Sequence, residues 1–270
     1  MKSAGKIGFV GGGNMAEAFI KGLLKGGVPA EDMAVAEPGE SRRQFLAERY
    51  GVTVTFDNTE VVAGADTVVL AVKPQIVDAV LSGFAGVFNG EKLLVSILAG
   101  VATSTLEGHF DGSPRVVRAM PNTPALVGAG AAGLCAGRFA TQDDLQVARR
   151  LFETFGIVRM VSEDQMDAVT GLSGSGPGYV FTVIEALADG GVQEGLPRET
   201  ALALAVQTVL GAALLVKESG EHPAVLRDKV CSPAGTTIAA VRVMEEKGLR
   251  STLMEAVSCA TRRSRELGGK

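Results

Sequence analysis

Lys6-Ile-Gly-Phe-Val10 followed by Gly11-Gly12-Gly13-Asn14-Met15-Ala16 decides how the rest of the chain is read. An apolar run of strand character ends in Gly-x-Gly-x-x-Ala, and apolar residues at helical spacing continue from Met15 to Lys25. In that context Gly11 permits the tight turn, Gly13 lets backbone approach a pyrophosphate, and Ala16 keeps the helix close to the strand. The phosphate then faces free N–H groups and the positive end of the helix dipole. Val10, Gly11, Gly12, Gly13, Asn14 and Met15 are therefore candidate dinucleotide contacts.

Working outward, further strand-like runs lie at Met33–Ala36, Val52–Phe56, Thr67–Val72 and Leu93–Leu98, with another at Val116–Met120. Segments with helical spacing separate them, among them 42–50 and 76–84. Such alternation predicts an α/β, Rossmann-type doubly wound sheet. Convincing strands stop after Ile157–Val161. Ser162 with Gln165 three residues on reads as a capping box. Ser175-Gly-Pro177, Leu196-Pro-Arg198, Glu221-His-Pro223 and Ser232-Pro233 read as further helix starts. The expected division is a dinucleotide-binding domain over 1–161 and an all-α domain over 162–270.

Composition narrows the chemistry. Two histidines (His109, His222) and three scattered cysteines (Cys135, Cys231, Cys259) show no metal-ligand spacing, so no metal site is expected. The cysteines show no pairing pattern either, which suits a reducing cytoplasmic setting. A net charge of −4 with dispersed Lys and Arg gives no footprint for nucleic acid. The basic start Met1-Lys-Ser-Ala-Gly-Lys6 runs into a glycine-broken apolar stretch, and no secretion signal is expected. The apolar run Ala201–Val216 is short for a bilayer span and too uniformly apolar for a surface helix. Burial against another subunit is the expected resolution, with burial inside one helical bundle as the alternative.

Glu37 ends the second strand at about the offset from which an acid binds the adenosine 2′-hydroxyl, which favours NADH. Ser41, Arg42 and Arg43 follow and could hold a 2′-phosphate if Glu37 turned away, so the choice between NADPH and NADH stays open. Asn58 starts the helix after the third strand, as a cap or an adenosine contact. Ala71, Val72, Lys73 and Pro74 close the fourth strand at its carboxyl end, where open α/β sheets bind ligands.

The second half lacks lysine between Arg159 and Lys217 and has no nucleophile elbow. It offers two hydroxyl-and-glycine loops, Gly171–Gly178 and Ser232–Thr237, each leading into a helix and able to take a small carboxylate.

The strings Gly11-Gly-Gly-Asn-Met-Ala16, Ala71-Val-Lys-Pro-Gln75, Arg118-Ala-Met-Pro-Asn-Thr-Pro124, Asp167-Ala-Val-Thr-Gly-Leu-Ser-Gly-Ser-Gly-Pro177 and Ser232-Pro-Ala-Gly-Thr-Thr-Ile238 resemble the pyrroline-5-carboxylate reductases. They occur in that family's order from residue 6 to about 267. Ala234 departs from it, since many members carry glycine there. The resemblance implies hydride transfer from NADPH or NADH to the C=N bond of 1-pyrroline-5-carboxylate, giving proline. It implies that Ser232, Gly235, Thr236 and Thr237 hold the carboxylate, with the Thr237 hydroxyl, the one candidate catalytic group, near the ring nitrogen. It also implies that the Ile97-Leu98-Ala99 turn lines the cofactor, and that C-terminal helices form a homodimer assembled into a larger ring such as a decamer. Two other readings fit the outline. One is a 3-hydroxyacid dehydrogenase, which needs a lysine in the first long helix of the second half; the other is a nucleotide-sensing protein without turnover.

Overall fold

A strand with no polar side chain to turn outward needs cover on both faces, and Ile7–Val10 (β1) has it: all four residues are buried. The computed structural model describes residues 4–269; Met1, Lys2 and Ser3 of the basic N-terminal stretch, and Lys270, lie outside the described residues. After β1 come α1 (Asn14–Lys25), β2 (Met33–Ala36), α2 (Glu40–Tyr50), β3 (Thr53–Thr55), α3 (Asn58–Gly64) and β4 (Thr67–Leu70). They are followed by α4 (Val77–Phe84), β5 (Leu93–Ser96), α5 (Thr103–Glu107), β6 (Arg115–Met120), β7 (Gly130–Ala136), α6 (Gln142–Glu153) and β8 (Gly156–Met160). The strands form one sheet in the order β3-β2-β1-β4-β5-β6-β7-β8, parallel except between β6 and β7. This is the doubly wound arrangement, and the order in which successive strands are added reverses between β1 and β4.

Alternate residues of the central strands feed two cores. Phe9, Val69, Val95 and Val117 face α1 and α6, where Phe19, Leu23, Leu151 and Phe152 are buried. Val10, Val68, Leu70 and Leu94 face α3, α4 and α5, with Val62, Leu81, Phe84 and Leu106. Phe19 is the hub of the first core, with ring centroids 4.7 Å from both Phe152 and Phe155 and 5.9 Å from Phe9.

β7 is the strand that pattern reading passes over. Gly-Ala-Ala-Gly-Leu-Cys-Ala has little β-branched or aromatic character. Its residues are small because neighbours crowd it: a Cβ at Gly133 would lie 2.9 Å from Val169 Cγ1, and one at Gly130 would lie 3.1 Å from the Phe155 carbonyl oxygen.

The remaining helices are α7 (Met166–Val169), α8 (Gly176–Gln193), α9 (Arg198–Ser219), α10 (Pro223–Val230), α11 (Thr236–Glu246) and α12 (Leu249–Leu267). Two compact units emerge, one of Met1–Ser175 with Cys259–Lys270, the other of Gly176–Ser258. This division falls later than 161/162, because α7 packs on β7 and the end of α12 belongs with the sheet. Ser175-Gly-Pro177 opens a helix as expected, α8 beginning at Gly176 with Pro177 in its first turn. A π-helical turn, Thr170–Gly174, stands ahead of it in place of a loop, and the Ser175 N–H donates to the Thr170 carbonyl at 2.8 Å. A π-bulge is how a helix absorbs an extra residue. Ser232-Pro233 sits in a turn, and α11 opens four residues later at Thr236.

α9 is long and apolar enough to cross a membrane by length and composition, and only 11% of its most apolar window is buried within the chain. Leu204, Leu210 and Leu215 are each about half exposed, which removes burial inside a single-chain bundle as an account of that helix.

Truncating Phe19 to Ala should lower unfolding free energy by about 3–5 kcal/mol, because three rings lose their common partner. Urea unfolding of the variant against wild type measures this, and a loss below about 1 kcal/mol would mean the site collapses around the gap.

Candidate active site

The carboxyl ends of β1, β4 and β5 converge where the strand order reverses, the place at which open sheets of this kind take ligands. Gly11 turns with φ +99°, and a Cβ there would lie 2.5 Å from the Ala71 carbonyl oxygen, so only glycine fits. Its N–H donates to the Ala36 carbonyl at 2.8 Å, and the Ala71 N–H donates to the Val10 carbonyl at 2.8 Å. The loop is thus laid against β2 and β4. Gly13 is exposed, with nothing within 4 Å of where a Cβ would stand, and it opens α1 without a side-chain cap. Ala16 is fully buried beneath it. A tight first glycine, an open second one and an uncapped helix start form a cradle that fits a dinucleotide pyrophosphate.

Glu37 lies beside this cradle. Its carboxylate accepts from the Gly12 N–H and from the Gly39 N–H, both at 2.9 Å. The acid is held by two backbone donors at the end of β2 and has not turned away. Arg42 donates from Nε to the Gly12 carbonyl at 2.7 Å, and pairs with Glu17 at 2.6 Å. Arg43 donates to the carbonyls of Glu37 and Pro38, each at 2.7 Å. Burial works to raise the Glu17 carboxyl, but hydrogen bonds from Arg42 and Tyr50 outweigh it and hold the group below the usual carboxylate range. Sequence reading did not reach this tie between the loop, α1 and α2, because its members interact only through side chains from three elements.

Ala71, Val72 and Pro74 are half-buried and Lys73 exposed at the end of β4. Ile97 and Ala99 are half-buried after β5, with Leu98 buried between them. Val10 is buried at the end of β1, and Asn14 is exposed on the first turn of α1, where Met15 is half-buried. Asn58 is not a cap: Asp57 caps α3, accepting from the Thr59 N–H at 2.8 Å, and Asn58 is the first helical residue.

In the other unit, Ser232 to Gly235 form a tight turn closed by the Gly235 N–H on the Ser232 carbonyl at 3.0 Å. A Cβ on Gly235 would meet Ser232 Oγ at 2.3 Å. Gly235 therefore serves by lacking a side chain, and its own N–H is spent within the turn. Thr236 and Thr237 occupy the first two positions of α11, which no side chain caps. Ala234, with φ 55°, is the only described non-glycine residue in the left-handed region. That conformation costs a residue with a Cβ about 1–2 kcal/mol. In the other expected anion loop, Gly171–Gly178, the first residues are wound into the π-turn and the Ser175 N–H is taken by the Thr170 carbonyl.

Cys135 on β7 is no nucleophile, because burial first and the neighbouring Glu163 carboxylate second push its thiol up to about 12.

Two family profiles match the chain: one described as pyrroline-5-carboxylate reductase dimerisation over residues 163–267, the other as NADP oxidoreductase, coenzyme F420-dependent, over residues 6–100. A pyrroline-5-carboxylate reductase of Synechocystis is 50% identical over 266 residues, 98% of this chain and 99% of the relative. A solved pyrroline-5-carboxylate reductase of Coxiella burnetii superposes with a TM-score of 0.92 at 39% identity, covering 98% and 99% of the two chains. The Plasmodium falciparum pyrroline carboxylate reductase, solved with NADP bound, superposes at 0.89 with 32% identity, covering 99% and 100%.

Glu37→Ser removes the acid that would oppose a 2′-phosphate. The ratio of NADPH to NADH efficiency should rise about tenfold, worth about 1.4 kcal/mol. Steady-state kinetics with both nucleotides measure the ratio, and an unchanged value would take Glu37 out of the site.

Proposed function

Because the chain belongs to the pyrroline-5-carboxylate reductase family, we propose how its residues divide that family's reaction between them. The reaction is reduction of the C=N bond of 1-pyrroline-5-carboxylate to L-proline at the expense of NADPH or NADH, the last step of proline synthesis. When bound, the reduced nicotinamide supplies the hydride.

The observation that carries the residue assignment is the pairing of an uncapped α11 with the tight Ser232–Gly235 turn ahead of it. A helix start without its own cap presents N–H donors to an anion, and the backbone of Thr236 and Thr237 is available to the substrate carboxylate. The Ser232 and Thr236 hydroxyls add donors at the same place. Gly235 lets the turn close. The Thr237 hydroxyl hydrogen-bonds the ring nitrogen, which arrives protonated or takes a proton delivered there as hydride reaches the adjacent carbon. An imine of this basicity needs orientation and charge pairing more than a strong general acid, which accounts for a substrate loop built without histidine or lysine.

Val10, Gly11, Gly12, Gly13, Asn14 and Met15 hold the pyrophosphate side of the nucleotide in this proposal, and Glu37 and Asn58 its adenosine side. Ala71, Val72, Lys73, Pro74, Ile97, Leu98 and Ala99 form the nicotinamide wall. The hydroxyacid-dehydrogenase reading would require a lysine in α8, whose eighteen residues contain none.

The chain carries a dimerisation domain and forms homo-oligomers. We propose that its dimer is the unit of a larger ring such as a decamer and that the protein is cytoplasmic. The exposed leucines of α9 lie within the stretch matched by the dimerisation profile, so a second subunit rather than lipid is their natural cover.

Addition of 1-pyrroline-5-carboxylate should oxidise NADPH or NADH in the presence of the protein, and 3-hydroxyacids with oxidised nucleotide should give no turnover. Thr237→Ala should lower kcat about 100-fold while nucleotide affinity holds; wild-type turnover in that variant removes Thr237 from the chemistry. Light scattering should return the mass of ten chains, and a mass of two would overturn the ring.

A further inference from the structure

The turn after β5, residues 97–102, is clamped from three sides, and one clamp is the far end of the chain. Its start is fixed to the sheet, where the Ile97 N–H donates to the Leu70 carbonyl at 3.2 Å. Its end is fixed at Thr103, whose N–H and hydroxyl both donate to the Glu163 carboxylate at 2.7 Å. Its middle rests on the last turn of α12. Gly100, buried and at φ +76°, stands so that a Cβ would lie 3.2 Å from the Gly268 N and 3.3 Å from both the Leu267 carbonyl carbon and the Ser264 carbonyl oxygen. The approach is closer from the other side: a Cβ on Gly268 would lie 2.4 Å from the Gly100 carbonyl oxygen.

Two backbones meet here with no side chain between them, and the meeting is anchored. Ser264 is buried, and its hydroxyl donates to the Asp167 carboxylate at 2.8 Å. The Arg118 guanidinium, 2% exposed within β6, lies 3.9 Å from Asp167 and 3.5 Å from Glu163. The same buried cation thus backs the anchor of α12 and the carboxylate that ends the turn. A frayed terminus would have no use for a buried serine and a glycine where backbone must pass backbone.

We propose that the C-terminal end of α12, through Ser264 and Gly268, is a positioning element of the cofactor site that holds the Ile97–Ala99 turn in the shape the nucleotide requires. This rests on the assignment of that turn to the nicotinamide wall. Gly268 and Ser264 act through the turn and touch no ligand.

The test compares Gly268→Ala and a chain ending at Leu267 with wild type, with Gly83→Ala, on the exposed side of α4, as the control. A Cβ at Gly83 meets open space, and Gly83 is not at positive φ. NADPH and NADH binding are titrated by nucleotide fluorescence without imine, and KM for nucleotide, KM for imine and kcat are then measured separately. The expected result is a rise of about fivefold or more in nucleotide Kd for both altered chains, matched by KM for nucleotide. KM for imine should stay within about twofold, and Gly83→Ala should behave as wild type. Ser264→Ala should move nucleotide affinity in the same direction. Wild-type nucleotide Kd in both the Gly268→Ala protein and the shortened chain would overturn the proposal. So would an equal rise in both KM values together with a lowered Tm, the mark of general loosening. Absence of turnover in wild type would instead count against the proposed reaction and leave the binding comparison readable.

Discussion

At Gly11 the carbonyl of Ala71 leaves no room for a side chain, and the cofactor end of the sheet is arranged around that lack of room. With β1 and β4 adjacent and parallel, the loop leaving β1 must cross the end of β4 before α1 can begin. A positive φ allows it to turn at once, so that α1 starts over the strand it has just left and aims its unpaired donors at the crevice. A longer loop would carry the helix start away from the Ala71–Pro74 and Ile97–Ala99 turns. Glu37 and Arg42 complete the arrangement by tying the Gly12 backbone to β2 and α2.

The proposed substrate loop solves a similar problem with similar means. Gly235, like Gly11, occupies a point where a side chain would collide, and a helix start follows it. The two loops lie in different compact units of the chain. Each presents backbone to an anion, pyrophosphate in one proposal and carboxylate in the other, which gives the glycine surplus a physical meaning. The chain has thirty-five glycines, about twice the usual share of about 7%, and some of the surplus falls where a missing side chain is useful.

Legibility followed the range of the interactions. β1, its glycine loop and α1 could be read from consecutive residues, because turn, strand and helix signals there are local and agree. β7 could not, because its glycines and alanines answer to Val169 and Phe155, which are distant in sequence. The Ser-Gly-Ser-Gly-Pro stretch carries the residues of a loop with a helix start; α8 does open at Gly176, but a π-turn takes the place of the loop before it. The Ser173 and Thr170 hydroxyls bond back to the carbonyls four residues earlier. Family resemblance identified Thr236 and Thr237 as candidates, whereas the tie of Glu37 to Gly12 and the seat of Gly268 on Gly100 required coordinates. Both are long-range contacts to backbone, which leave no periodic trace in sequence.

The proposed cover for the half-exposed leucines of α9 has a consequence for how the chain is made. On that proposal, covering the helix with another copy makes folding a second-order process, so the stable state depends on subunit concentration by mass action. A freshly synthesised chain carries that surface bare until it meets its like, and during the interval it competes with every other apolar surface in the cell. Dilution should therefore act on this protein as a denaturant acts on a monomer.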